Sequence, residues 1–207
     1  MKLLGWGVLT CTLVTGLALF WWGCKGSDYG AIQPSPEDLC KCLPVEPDIA
    51  DYRHVAKHVN MPEMAPVEID VNTILGWPED PVPLPPDQPR TGRELQVFHV
   101  AQAFLQEASV NAADCDVHFE ISQTTEKSAP RVIVETPVES EYCSARQSAQ
   151  SQLAKHGFRL DSQHGGELPT ALPVQVTGMA FEDFDHNRGS AQVATIWELH
   201  PAVVKIP

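Results

Sequence analysis

The chain contains no run of Lys or Arg. Its 14 Lys and Arg face 27 Asp and Glu, for a formal net charge of −13. Such a surface cannot track a phosphate backbone by charge, which disfavours nucleic acid as a partner. Also missing are a Gly-x-Ser-x-Gly nucleophile elbow, a Walker loop and a His-Glu-x-x-His helix. Their absence removes the common local signatures of serine hydrolases, P-loop nucleotide binding and zinc proteases. Cys40-Lys41-Cys42 has no second Cys pair or Cys/His pair at zinc-finger spacing. Disulfide pairing outside the cytoplasm is therefore the expectation for Cys40, Cys42, Cys115 and Cys143, which allow three pairings.

What is present divides the 207 residues into three regions. Residues 3–22, Leu3 to Trp22, carry no charge, follow Lys2 and end before Lys25 and Asp28. An apolar run of that length is long enough to cross a bilayer as a helix, and Trp21-Trp22 suits an interfacial belt. Residues 1–24 read as an uncleaved signal anchor. The alternatives are a lipoprotein-type signal with Cys24 as the lipidated residue, or a secretion signal. Each of these places the following domain at the cell membrane or beyond it, facing the periplasm or the exterior.

Residues 25–92 hold most of the prolines; twelve of the chain's 18 lie between Pro34 and Pro89. Proline fixes φ and removes a backbone donor, so this stretch is expected to be an extended, semi-rigid extracytoplasmic linker. One short helix is expected at about 49–59, where His54 and His58 would share a solvated face.

Residues 93–207 carry the strand patterns. Apolar residues crowd 94–108. Cys115, Val117, Phe119 and Ile121 alternate with Asp116, His118, Glu120 and Ser122. Arg131 to Thr136 is β-branched with Glu135 embedded in it. Ser140 to His156 has helical spacing and is followed by Gly157. Val174 to Phe181, with Gly178 at a bend or close approach, and Val193 to His200 complete the set. Three strands, a helix and two strands predict a mainly β, α+β domain: a small five-stranded OB-like Greek-key barrel. Another small sheet with one covering helix is the competing arrangement.

Several segments resemble a family of small uncharacterised bacterial exported proteins. They are Asp116-Val117-His118-Phe119, Val132 to Pro137, Cys143 with Arg146, Val174 to Gly178, Phe181 to His186, and Trp197-Glu198-Leu199-His200-Pro201. Relatives read Asp-x-His, Glu-x-Pro, Cys, Val-Thr-Gly, an Asp-His segment and Glu-Leu-His-Pro in the same order. The chain departs after His186, where relatives are richer in Gly, and has Ala202 between Pro201 and Val203. The resemblance covers the domain alone and implies fold and location rather than an activity.

Chemistry-bearing side chains concentrate on these strands. Asp116 and His118 share one strand face, and Glu198 and His200 repeat the arrangement near the barrel interior. Glu135 and the Asp185-His186 pair complete a candidate binding cluster. Carboxylates with imidazoles can do general acid/base work or bind a divalent metal, here through His118, Glu198 and His200. The same groups can instead form a hydrogen-bonded network that pins strand register. The overall reading is a membrane-tethered module that binds a protein or small ligand. A nuclease-like, metal-dependent hydrolase is the alternative, although 93–207 carries an acidic excess around any phosphate site.

Overall fold

Alternating β-branched and polar residues in the second half of the chain close into a barrel. The computed structural model describes residues 38–43, 52–185 and 189–207. The apolar run, Cys24 and His186 lie outside them. Among the described residues, no helix is long and apolar enough to cross a membrane.

The strands are β1 (Val67–Ile69), β2 (Val97–Val110), β3 (Val117–Ser122), β4 (Arg131–Thr136), β5 (Gly166–Glu182) and β6 (Val193–Lys205). The sheet order is β1-β2-β3-β4-β6-β5, and β5 pairs back onto β2. Strands β2 to β6 thus form a closed five-stranded barrel. All its neighbours are antiparallel except β4 and β6, which run parallel. β1 is an outrigger, parallel to the start of β2.

The interior is filled from every strand: Val100 and Leu105, Val117 and Phe119, Val132 and Val134, Val176, and Trp197 and Leu199. The helix α3 (Cys143–Lys155) adds Ala149 and Leu153, and α2 (Val71–Leu75) adds Val71 and Ile74. Arg146 pins α3 to the strands by donating to the carbonyls of Cys115 and Val138. Gly178 meets the reason for its place. A Cβ there would lie 2.6 Å from Ala202 Cβ and 2.9 Å from Pro201 O, so β5 and β6 cross at that point only without a side chain.

Strand boundaries shift relative to the sequence reading in physically ordered ways. Glu94 leaves the first strand because Gly92–Leu95 forms a 3₁₀ turn closed by a capping box between Thr91 and Glu94. The last two strands run well past the predicted limits because each is paired along its full length.

The linker reading needs the largest correction. Among its described residues, 38–43 and 52–92 are not a free spacer: they belong with the barrel to one unit, Ser35–Pro207. Leu39, Arg53 and Ile74 are buried, Trp77 stacks edge-on to Trp197, and Trp197 Nε1 donates to the carbonyl of Pro78. Proline bars this arm from long regular elements but not from packing. Its helices are single turns, α1 (His54–Lys57) and α2, and the prolines lie between buried anchors. The helix expected at 49–59 is reduced to α1, and residues 44–51 lie outside those described.

Two disulfides fasten the beginning of the arm. Cys40 joins Cys143 at the start of α3, and Cys42 joins Cys115 in the turn before β3, with Cα separations of 5.2 and 5.9 Å. Both bridge sequence separations of 103 and 73 residues, so each restricts a large unfolded loop. Non-reducing peptide mapping is expected to recover Cys40–Cys143 and Cys42–Cys115. Replacing Cys42 and Cys115 together with Ala should cost about 2–5 kcal/mol in denaturant melts. Recovery of a Cys40–Cys115 peptide, or an unchanged melt, contradicts this arrangement.

Candidate functional site

The alternation that sends Val132 and Val134 into the barrel sends Arg131, Ile133 and Glu135 to its outer wall. The same rule places His118 and Glu120 outside on β3, and Glu198 and His200 outside on β6. The polar cluster therefore lies on the barrel's outer face, not near its interior. It is nonetheless buried: Asp116, Glu120 and His200 are fully buried and Glu198 is 1% exposed. The arm and the segment before β6 cover it.

Register brings the members together. His118 is the direct cross-strand partner of Glu135, and its Nδ1 lies 3.1 Å from Glu135 Oε1. His200 Nε2 lies 2.9 Å from Asp116 Oδ2 and 3.9 Å from Glu135 Oε2. Lys57, from the arm, reaches Glu135 Oε2 at 3.1 Å and Glu198 Oε1 at 3.8 Å. Asp116, His118, Glu135, Glu198 and His200 thus form one connected group. Asp185 does not join it here; it is exposed and lines a surface groove with Glu79, Ser190 and Ile196. His186 lies outside the described residues.

A second patch on the same wall is centred on Glu120. Its carboxylate accepts from the Ser190 backbone N–H and hydroxyl and, at 3.0 Å, from Arg131 Nη1. His118 Nε2 stands 3.7 Å away. Gly189 carries a positive φ of 68° there, and a Cβ would sit 2.7 Å from Glu120 Oε1. Glycine lets the segment before β6 close directly over the carboxylate.

These contacts set the charges. Burial alone would raise the Glu120 carboxyl, but His118, Ser190 and Arg131 outweigh it and hold it at about 2. Burial opposes a charged His118, yet the Glu120 and Glu135 carboxylates raise it to about 10. Glu135 loses solvent too, and Lys57 and His118 drive it well below the ordinary carboxylate range. Asp114 goes the other way, up to about 7, through burial and the neighbouring Asp116 and Glu135 charges.

The arm supplies most of what covers the wall. Arg53, in the left-handed region at φ 51°, forms a bidentate pair with Glu94 at 2.7 and 2.9 Å. It also donates to the carbonyls of Gln88, Pro89 and Glu182. Arg90 directs its donors to the carbonyls of Ala56, Lys57, Glu94, Ala180 and His200, and its guanidinium stacks 5.2 Å from the Phe181 ring. Burial lowers Arg90 to about 10. None of these arm residues was singled out in the sequence. The available signal was Arg and Lys at odd places in a Pro-rich stretch, which reads as solvated charge.

The expected metal set, His118, Glu198 and His200, is not the one that converges. Among the described residues, the His, Cys, Asp and Glu groups whose ligand atoms lie within 4.8 Å of one another are His58, Asp116 and His200. His200 Nδ1 donates to the Lys57 carbonyl at 3.0 Å, since a carbonyl can only accept. Its Nε2 faces Asp116 Oδ2 at 2.9 Å. His58 is not on a solvated face: its side chain is 6% exposed and its Nδ1 lies 2.8 Å from Glu139 Oε1.

Glu120 gives the clearest pH test. Its folded pKa is depressed from 4.5 to about 2, so its stabilisation is complete above pH 4.5 and is lost as pH falls through about 2. Glu120→Gln should cost about 3 kcal/mol at neutral pH. The wild-type and variant stability curves should converge as pH falls from 4.5 towards 2. A constant offset across that window in chemical denaturation at fixed pH contradicts the assigned ionisation.

Comparison with protein-family models, curated proteins and solved structures finds no match to this chain.

Proposed function

We propose that this chain is a membrane-tethered extracytoplasmic binding module built on an OB-type Greek-key barrel. The barrel order β2-β3-β4-β6-β5, the parallel β4–β6 pair and a helix between the third and fourth barrel strands support the OB reading. The uncharged run of residues 3–22 and the two disulfides support a location outside the cytoplasm. The resemblance to exported proteins points the same way.

The observation that carries the binding reading is an apolar groove of about 810 Å³ formed by the arm against β5. Val55, Val59, Pro62, Leu95 and Met179 line it, with His54, Asn60, Asp87, Gln88 and Arg90 as polar or charged points. Val55, on the arm, is 85% exposed and Leu95, in the turn before β2, is 55% exposed, so the groove presents apolar side chains to solvent. A mostly apolar cleft of this size with a few polar groups suits a small apolar ligand or an apolar side chain of a partner. The hydrolase alternative fits less well, because Asp116 and His200 are sealed from solvent and offer no route for a substrate.

Two measurements test this. Full-length protein should sediment with membranes, and a form lacking residues 1–24 should be soluble and folded. Ligand-observed NMR with small neutral aromatic probes should detect binding to that soluble form. The Val55→Asp/Leu95→Asp variant should lose binding while its stability stays within about 0.5 kcal/mol per site, since both residues are exposed. Undiminished probe binding by the variant rejects the groove, and a truncated form that still sediments rejects the tether.

A further inference from the structure

We propose that the apolar groove between the arm and β5 takes a small apolar molecule that carries a primary ammonium group. The inference rests on the groove reading above and adds the charge of the ligand. A volume of about 810 Å³ is that of a small-molecule cleft and exceeds what one side chain of a partner would fill.

Donors are scarce along this groove. Pro62, Pro86 and Pro89 line it and bring carbonyls without N–H groups. Arg90 lines it as well, but all five of its N–H groups are already committed to carbonyls. Nε donates to Ala56, Nη1 to Glu94 and Ala180, and Nη2 to Lys57 and His200. The Glu94 and Glu198 carboxylates offset its charge. An anionic ligand would therefore meet a guanidinium with no hydrogen left to give. His54 sets its ring 4.4 Å from that of His58 and buries its Nδ1, which withholds that nitrogen from the groove. The side-chain amides of Asn60 and Gln88 can both donate and accept, so they select neither sign of charge.

Acceptors are in excess. Asp87 is exposed at the groove, and among the described residues it has no hydrogen-bond or ion-pair partner. A primary ammonium has three donors and no acceptor, which matches this rim. A quaternary nitrogen would bring no N–H for Asp87, and no Trp, Tyr or Phe is among the described lining residues to receive it on a ring face. The chain's 27 acids against 14 bases add a field of the same sign. The apolar part of the ligand then lies along Val55, Val59, Leu95 and Met179.

Met179 supplies the readout, because it lines the groove. Full-length protein carrying ¹³C-methyl methionine is held in nanodiscs of zwitterionic lipid, and Met179→Leu assigns the resonance. Three probes of matched shape are titrated at neutral pH and low salt: cyclohexylmethylammonium, cyclohexylmethanol and cyclohexanecarboxylate. The ammonium should saturate the Met179 shift at about fivefold lower concentration than the alcohol, and the carboxylate should bind more weakly than either. Added salt should close the gap. Asp87→Asn should bring the ammonium to the alcohol's affinity. Glu126→Gln, an exposed position between β3 and β4 that does not line the groove, should leave the preference unchanged. Equal binding of the three probes overturns the ammonium assignment and leaves the groove standing. So does a preference that survives Asp87→Asn, or one that falls equally in Glu126→Gln. A Met179 resonance that no probe moves overturns the groove itself and this inference with it.

Discussion

A wall of charge on the outside of a barrel can be buried only if another part of the chain neutralises it. β3, β4 and β6 present Glu120, Glu135, Glu198 and His200 on one outer face, with Asp116 at its edge, and nearly all of that face is sealed from water. An unpaired carboxylate in such a place costs several kcal/mol, so the wall and its cover must form together. Arg131 and His118, on the barrel's own strands, meet part of the demand. The rest comes from the arm, through Lys57.

The arm in turn has little regular structure and needs its own anchors. Arg53 and Arg90 serve this purpose by different means. Arg53 is satisfied by a carboxylate, Glu94, and by carbonyls, whereas Arg90 is satisfied by carbonyls. Five carbonyl acceptors convert one guanidinium into a joint between the arm, the turn before β2, and strands β5 and β6. The two disulfides hold the start of the arm, where 3₁₀ geometry and one buried leucine, Leu39, supply little packing.

The barrel was legible because its signal is local. Period-two alternation with β-branched residues fixes which faces of β3 and β4 point inward, and it recovered β4 at both ends. Glu135 stood out because a lone carboxylate in an apolar strand demands a partner. The arm was not legible, because proline content reports on backbone hydrogen bonding and says nothing about burial. Arg53, Lys57 and Arg90 look like solvated charges until the wall they cover is known. Glu120 and Arg131 were passed over for a related reason: on an alternating strand they read as the outward, wet positions. They are outward, but the segment containing Gly189 and Ser190 closes over them. The His58 misreading has the same origin, since two His four residues apart on one helical turn show nothing of Glu139 across the fold.

The most direct test of the account is a double-mutant cycle between the arm and the wall, using Lys57→Met and Glu135→Gln in chemical denaturation at neutral pH. Each single substitution removes the nearest partner of a buried charge, leaving Glu135 to His118 and Lys57 to Glu198, for a loss of up to about 3–5 kcal/mol. The double variant removes both charges, so its loss should fall short of the sum by at least about 1.5 kcal/mol. Strictly additive losses below about 0.5 kcal/mol each would mean that the arm lies on the barrel without neutralising it.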